Sequence, residues 1–219
     1  MKENYERRFK HLLVRRMPVI LRLDGRAFHT LTKNCDKPFD EHFTHCMTVN
    51  AVQLLKDIQG AKCAYVQSDE ISILMTDFDK LGTHAWFGGN IQKIVSVAAG
   101  MASVNFSLAY ANKGIFDARV FNIPKEEVAN YFIWRQNDWV RNSISMTAQS
   151  VYSQKQLYQK GQTDMIEMLA EKDIDWHSFD DKWRLGTYIE GSDTAGTISH
   201  PKFMDDRDLI EKHLVPEEA

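Results

Sequence analysis

Two short acidic segments stand at the ends of apolar, strand-like runs. One is Leu21-Arg22-Leu23-Asp24-Gly25-Arg26, the other Val66-Gln67-Ser68-Asp69-Glu70-Ile71-Ser72-Ile73. A buried strand gains nothing from an unpaired carboxylate, whose desolvation is costly. A divalent cation reverses that argument, because Mg²⁺ takes hard oxygen ligands, usually one or two carboxylates plus substrate phosphates and water. Two aspartates meeting from adjacent strands would suit metal-dependent phosphoryl transfer. Taken singly, Asp24-Gly25 also reads as an ordinary turn and Ser68-Asp69-Glu70 as a polar hairpin tip.

The elements that must position these residues follow from the hydrophobic pattern. Val19–Leu23 reads as a strand ended by Asp24-Gly25, and Arg26 to Pro38 as a polar loop. Phe43, Met47, Ala51, Leu54, Leu55 and Ile58 recur at helical spacing, with Gly60 as the stop. Residues 62–67 and 70–76 form a predicted hairpin. Ile91 to Ala109 is a second helix rich in small residues, and Phe116 to Ile123 a fourth strand. The order β-α-β-β-α-β is that of a ferredoxin-like α+β unit: an antiparallel sheet with helices on one face, its first and third strands central. In it the turn between strands two and three approaches the end of strand one, so Asp24 and Asp69 meet.

After Pro124 the chain turns helical. The reading divides it into a unit over 1–124 with a basic N-terminal arm and a helical extension over 125–219 packed on it as one compact body. Within the extension, Arg141-Asn142-Ser143 is expected to break one helix from a second over Ile144 to Gln154, whose Met146 and Val151 make it a candidate interface. Thr163 is expected to cap a helix over 164–171, Trp183 to Ile189 to form a last strand, and the tail from Asp205 to fray.

Composition sets the outer bounds. The 219 residues are 43% hydrophobic and 26% charged, the balance of a folded domain. No apolar run of membrane-spanning length and no signal-peptide pattern is read. Cys35, Cys46 and Cys63 are odd in number and lack metal spacing, which favours free thiols and a cytoplasmic setting. His42 and His45 lack further ligands for zinc. Residues 1–22 hold seven cations against two anions, a balance of +5, so the remainder carries −8 of the net −3. Such an arm suits phosphates, or else is simply a solvated helix over 3–12.

Five ordered blocks then resemble one family. Asp24-Gly25-Arg26-Ala27-Phe28-His29, Lys37-Pro38, Gln67-Ser68-Asp69-Glu70, Phe116-Asp117-Ala118-Arg119 and Trp134-Arg135-Gln136-x-Asp138, with Lys93 in the second helix, are similar to the signature of the tRNA-His guanylyltransferase family. The resemblance implies a polymerase-like palm that extends tRNA at its 5′ end, with Mg²⁺ (two ions) and ATP, GTP or other nucleoside triphosphates. It implies Asp24, Gly25 (through its carbonyl) and Asp69 as metal ligands, and Asp24, Asp69 and Glu70 as catalytic. Arg26, Ala27, Phe28, His29, Lys37, Ser68 and Lys93 join Asp24, Gly25 and Asp69 around the nucleotide, and Arg135, Asp138, Arg141 and Asn142 face RNA. A homotetramer without membrane contact is the family expectation. Where the eukaryotic branch carries His-Ile-Asn-Asn, this chain has Val140-Arg141-Asn142-Ser143. That departure favours template-dependent 5′-end repair over dedicated addition of one G. A palm-type cyclase or nuclease would share the metals, and a ferredoxin-like RNA-binding module would share the element order but need stacking aromatics on its strands.

Overall fold

A computed structural model describes residues 1–191 and 196–216. Its six strands, β1 (Val19–Gly25), β2 (Ala61–Gln67), β3 (Glu70–Met75), β4 (Phe116–Asn122), β5 (Thr187–Glu190) and β6 (Thr197–Ser199), form one antiparallel sheet in the order β4-β1-β3-β2-β5-β6. The first four are the ferredoxin-like set with β1 and β3 central, as the hydrophobic pattern predicts. The extension after Pro124 is therefore not purely helical, since β5 pairs with β2 and β6 with β5.

Strand alternation sends successive side chains to opposite faces. Leu21, Leu23, Ile71 and Ile73 are fully buried under α2 (Glu41–Asp57) and α3 (Ile91–Tyr110). Asp40 caps α2 by accepting the Phe43 N–H at 2.7 Å, and Asn90 caps α3. Gly60 has φ +82°, and a Cβ there would lie 2.4 Å from the Thr76 carbonyl oxygen, so the turn into β2 needs glycine. Among the described residues, α3 alone is long and apolar enough to cross a membrane, an exception to the reading of no such run. Its Ile94, Ala98, Ala102 and Phe106 are buried in this core.

The opposite face carries α4 (Lys125–Val151), which buries Val128 and Phe132 with Ile20, Tyr65 and Leu74. The expected break at Arg141-Asn142-Ser143 does not occur. Ser143 is buried mid-helix with its hydroxyl donating to the Trp183 carbonyl at 2.8 Å and accepting from the Trp176 indole at 3.0 Å. Tertiary partners thus satisfy the group that would otherwise compete with the helix.

Other expectations need correcting. The polar loop contains a one-turn helix, α1 (Phe28–Leu31), and the arm holds only short turns over Lys2–Glu6 and Arg7–Phe9, all exposed. Gly161, not Thr163, precedes α5 (Gln162–Ala170), its N–H held by the Asp164 carboxylate at 2.9 Å. Trp183 lies in α6 (Asp181–Leu185), and β5 starts only after Gly186. Up to residue 216 the tail is packed: α7 (Asp208–Glu211) and the turn after it bury Ile210 and Leu214 against the α4 core.

Candidate active site

β1 ends at the site. Asp24 lies in register with Glu70 on β3 and Asp117 on β4, so three carboxylates stand in a row across the sheet. The Gly25 N–H donates to the Asp69 carbonyl oxygen at 3.0 Å, which brings the β2–β3 turn to the end of β1. Asp24 and Asp69, 45 positions apart, therefore share one corner. A Cβ on Gly25 would lie 2.6 Å from the Phe28 ring. Ala27 (φ 57°) and Ser68 (φ 48°) are both left-handed without being glycine, so the two turns that flank the carboxylates carry backbone strain.

Burial, foremost, raises the Asp24 carboxyl above the ordinary range, and the charges of Glu70 and Asp117 add to it. Asp69 is raised too, by burial first and by Asp24's charge, while hydrogen bonds from its own backbone and Ser68 oppose. Two carboxylates that burden each other are what a divalent cation relieves. Among the described residues no three His, Cys, Asp or Glu side chains form a ready-made cage. Asp24 and Asp69 instead offer two carboxylates at one corner, a set of hard oxygen donors.

Glu70 is differently engaged. Arg135 grips both its oxygens at 2.8 Å, Gln67 donates at 3.0 Å and Ser72 at 3.3 Å. Arg135 also donates to Asp138 at 3.1 Å, and Asp138 accepts from Arg141 at 2.6 Å. Three residues of the Trp-Arg-Gln-x-Asp block are thereby given structural roles. Arg135 and Asp138 brace the acidic hairpin from α4, and Gln136 pins the C-terminal segment through Leu185, Pro201 and Phe203. Of the four residues expected at RNA, Arg135 is buried in this ion pair and Asp138 lies between two arginines, while Arg141 and Asn142 are exposed.

Gly25, Ala27, Phe28, His29, Ser68 and Asp69 line a cleft of roughly 350 Å³ with Thr32, Phe43 and Met146, the size of a small-molecule site. Met146 is thus a wall of this cleft. Exposed Arg26 lies beside it, its N–H donating to the Ile115 carbonyl at 2.7 Å. A recess adjoins, sharing Thr32, Phe43, Ser68 and Met146, with Phe39 stacked on Trp183 at 4.9 Å and Trp139 as further wall. Lys37 and Asp40 stand at its rim. Asp40 is held below the usual range by the Phe43 N–H first and the Asp36 N–H as well, against the cost of burial.

Lys93 is not brought here. It sits in the first turn of α3 beside Arg7, Lys10 and Phe87. The site lies near the other end, where Ser103 accepts the Phe116 N–H, about 15 Å along the axis. Sequence reasoning missed Asp117 as a neighbour of Asp24, the recess walls Phe39 and Trp183, and the exposure of Trp134. The alternation of Asp117, Arg119 and Phe121 on β4 was the available signal for the first.

A family model described as tRNAHis guanylyltransferase matches residues 1–124. A bacterial tRNA(His) guanylyltransferase (Thg1)-like protein in complex with ATP superposes with a TM-score of 0.93 at 40% identity over 97% of this chain and 96% of that one. The enzyme from Saccharomyces cerevisiae, at 20% identity and TM-score 0.73 over 93% and 99% of the two chains, shares the fold. An uncharacterised protein, R259, of Acanthamoeba polyphaga mimivirus is 27% identical over 78% of this chain and 68% of its own length. A probable tRNA(His) guanylyltransferase of Drosophila melanogaster is 32% identical over 59% of this chain, but only 48% of that protein is spanned. With the acidic corner, its strained turns and its cleft in place, the chain belongs to the tRNAHis guanylyltransferase family, a family of nucleotidyltransferases.

Proposed function

We propose that this chain adds nucleotides to the 5′ end of tRNA in the 3′-to-5′ direction, copying the opposing strand to repair truncated ends. The observation that carries the reading is the Gly25–Asp69 hydrogen bond, which sets two raised carboxylates beside a nucleotide-sized cleft. Similar bacterial proteins are described in complex with ATP and with GTP, which supports nucleoside triphosphates as substrates here. In this reading the 5′-monophosphate attacks the α-phosphorus of one triphosphate, expelling pyrophosphate, and the 3′-hydroxyl of an incoming nucleotide then attacks the activated 5′ phosphorus, expelling the nucleoside monophosphate.

Asp24, Asp69 and the Gly25 carbonyl would hold Mg²⁺, two ions in the full reading. The metal supplies neutralisation of phosphate charge and a lower pKa for the attacking hydroxyl. The chain's own residues orient the reactants. Ala27, His29 and Ser68 border the triphosphate's place in the cleft, and the aromatic recess with Lys37 and Asp40 accepts the base. Template dependence rests on Val140, which packs among Ile144, Leu169 and Trp176 where the family's eukaryotic branch has histidine.

The test is incubation with Mg²⁺, ATP, GTP and a 5′-labelled, monophosphorylated tRNA lacking its first nucleotide, resolved on a gel. Extension that changes with the opposing base is the expected result. Addition of one G whatever the opposing base would favour dedicated guanylyl transfer, and binding without extension would reduce the protein to an RNA-binding module.

A further inference from the structure

We infer that Trp134, with Phe121 and Arg119, forms a platform on which a base and a phosphate of the RNA's 5′ end rest, a proposal that rests on the tRNA reading above. Trp134 is 52% exposed, although it lies mid-helix in α4 between buried Ile133 and Arg135. Tyr131 meets it edge to face at 5.9 Å and meets Phe121 of β4 at 6.0 Å, so three aromatic rings run from the helix to the edge of the sheet. Phe121 is 37% exposed. The Arg135 guanidinium lies 4.6 Å from the Trp134 ring, fixing its plane while gripping Glu70. Tyr131 is anchored to β3 through Ser72 at 2.8 Å.

The surrounding charges suit a phosphate. Arg119 on β4 is in register with Arg22 on β1, two residues along each strand from the Asp117–Asp24 pair and on the same face. The Arg119 side chain is 57% exposed, and its ion pair with Asp117 is long, 3.8 Å. Arg22 adds positive charge from within, its Nε buried and without a hydrogen-bond partner among the described residues. One exposed guanidinium group with donors to spare, next to an exposed ring and beside the acidic corner, matches unpaired RNA: the ring stacks a base and Arg119 takes its phosphate. The nucleotide cleft opens around Ala27 and Ser68, so the platform serves the RNA and not the incoming triphosphate.

The test measures binding, without catalysis. A 3′-labelled, 5′-monophosphorylated acceptor hairpin with one unpaired 5′ nucleotide is titrated by anisotropy, and GTP binding is followed separately by calorimetry. Trp134→Ala is expected to weaken RNA binding about five- to hundredfold, the range for one stacked base, while GTP affinity holds. Trp134→Phe should recover most of the loss, and Arg119→Gln should lower the salt slope by about one. Unchanged RNA affinity in Trp134→Ala, an unchanged slope in Arg119→Gln, or a changed oligomeric state with RNA binding intact would overturn the platform. Wild-type protein that binds GTP but no hairpin would overturn the tRNA reading and the platform with it.

Discussion

The two faces of β1, β3 and β4 are built to different ends from the same stretch of chain. Toward α2 and α3 the strands present Leu21, Leu23, Ile71, Ile73 and Phe116, nearly all of them solvent-free. Toward α4 they present Ile20 and Leu74 at one end and Arg22, Asp24, Glu70, Ser72, Asp117 and Arg119 at the end that holds the site. Alternation makes every chemical residue the neighbour of a structural one, so a slip of one residue in register would destroy core and site together. The apolar face is stabilised by area removed from water, roughly 25 cal/mol per Å². The polar end of the other face instead holds Asp24, whose charge is poorly solvated until a partner arrives.

Adjacent positions on β1 test that division most directly. Asp24→Asn should cut 5′ extension by at least about a thousandfold, since charge stabilisation of several kcal/mol is removed at 1.36 kcal/mol per decade. It should not destabilise the fold. A carboxyl raised in the folded state contributes stability that is present below its ordinary value of 3.8 and lost as pH rises through the raised value. At pH 7 in a chelator, Asp24→Asn is therefore expected to melt at or above the wild type, with the difference vanishing below about pH 3.8. Mg²⁺ should raise the wild-type Tm and leave the variant's unchanged. A clear fall in Tm in the chelator would make Asp24 a structural residue and erase the contrast between the faces. Leu23→Ala should do the reverse: a loss of about 2–5 kcal/mol in denaturant titrations, with GTP affinity retained while the protein is folded.

Arg135 marks where the polar face does contribute to stability. The Arg135–Glu70 pair is buried on both sides, 8% and 7% exposed. Arg135→Leu leaves Glu70 charged and poorly compensated, at a cost of about 3–5 kcal/mol by urea denaturation. Adding Glu70→Leu should return much of that. If the double variant is no more stable than the single one, Arg135 acts through packing on Trp134 and not through charge.

How much of this was legible follows from the same division. The four palm strands and α2 and α3 were legible because their periodicities are set by one apolar face, and Asp24 and Asp69 because a carboxylate at a strand end is costly without a partner. What was not legible depended on contacts distant in sequence. Ser143 reads as a helix breaker until Trp176 and Trp183 are known to satisfy it. Trp134 reads as core because most tryptophans are, and Arg135 as an RNA contact because Glu70, the partner that holds it, is 65 positions away. Lys93 was placed by family order, which carries no distance.

Arg141 gives the smallest expected effect and the finest test of where the polar face ends. Its side chain is 54% exposed, and its pair with Asp138 lies on the helix surface. Asp138 keeps Arg135 as a partner when Arg141 is removed. Exposed pairs of this kind contribute between about 0 and 1 kcal/mol, so Arg141→Ala should alter urea stability by less than about 0.5 kcal/mol. RNA affinity is the sharper readout. A phosphate contact at Arg141 would lower the salt slope of hairpin binding by about one, as at Arg119. A drop at both positions would carry the RNA from the β4 edge along α4 for two turns past Trp134. A drop at Arg119 alone would confine it to the sheet, leaving Arg141 to neutralise the outer end of the Glu70–Arg135–Asp138 chain.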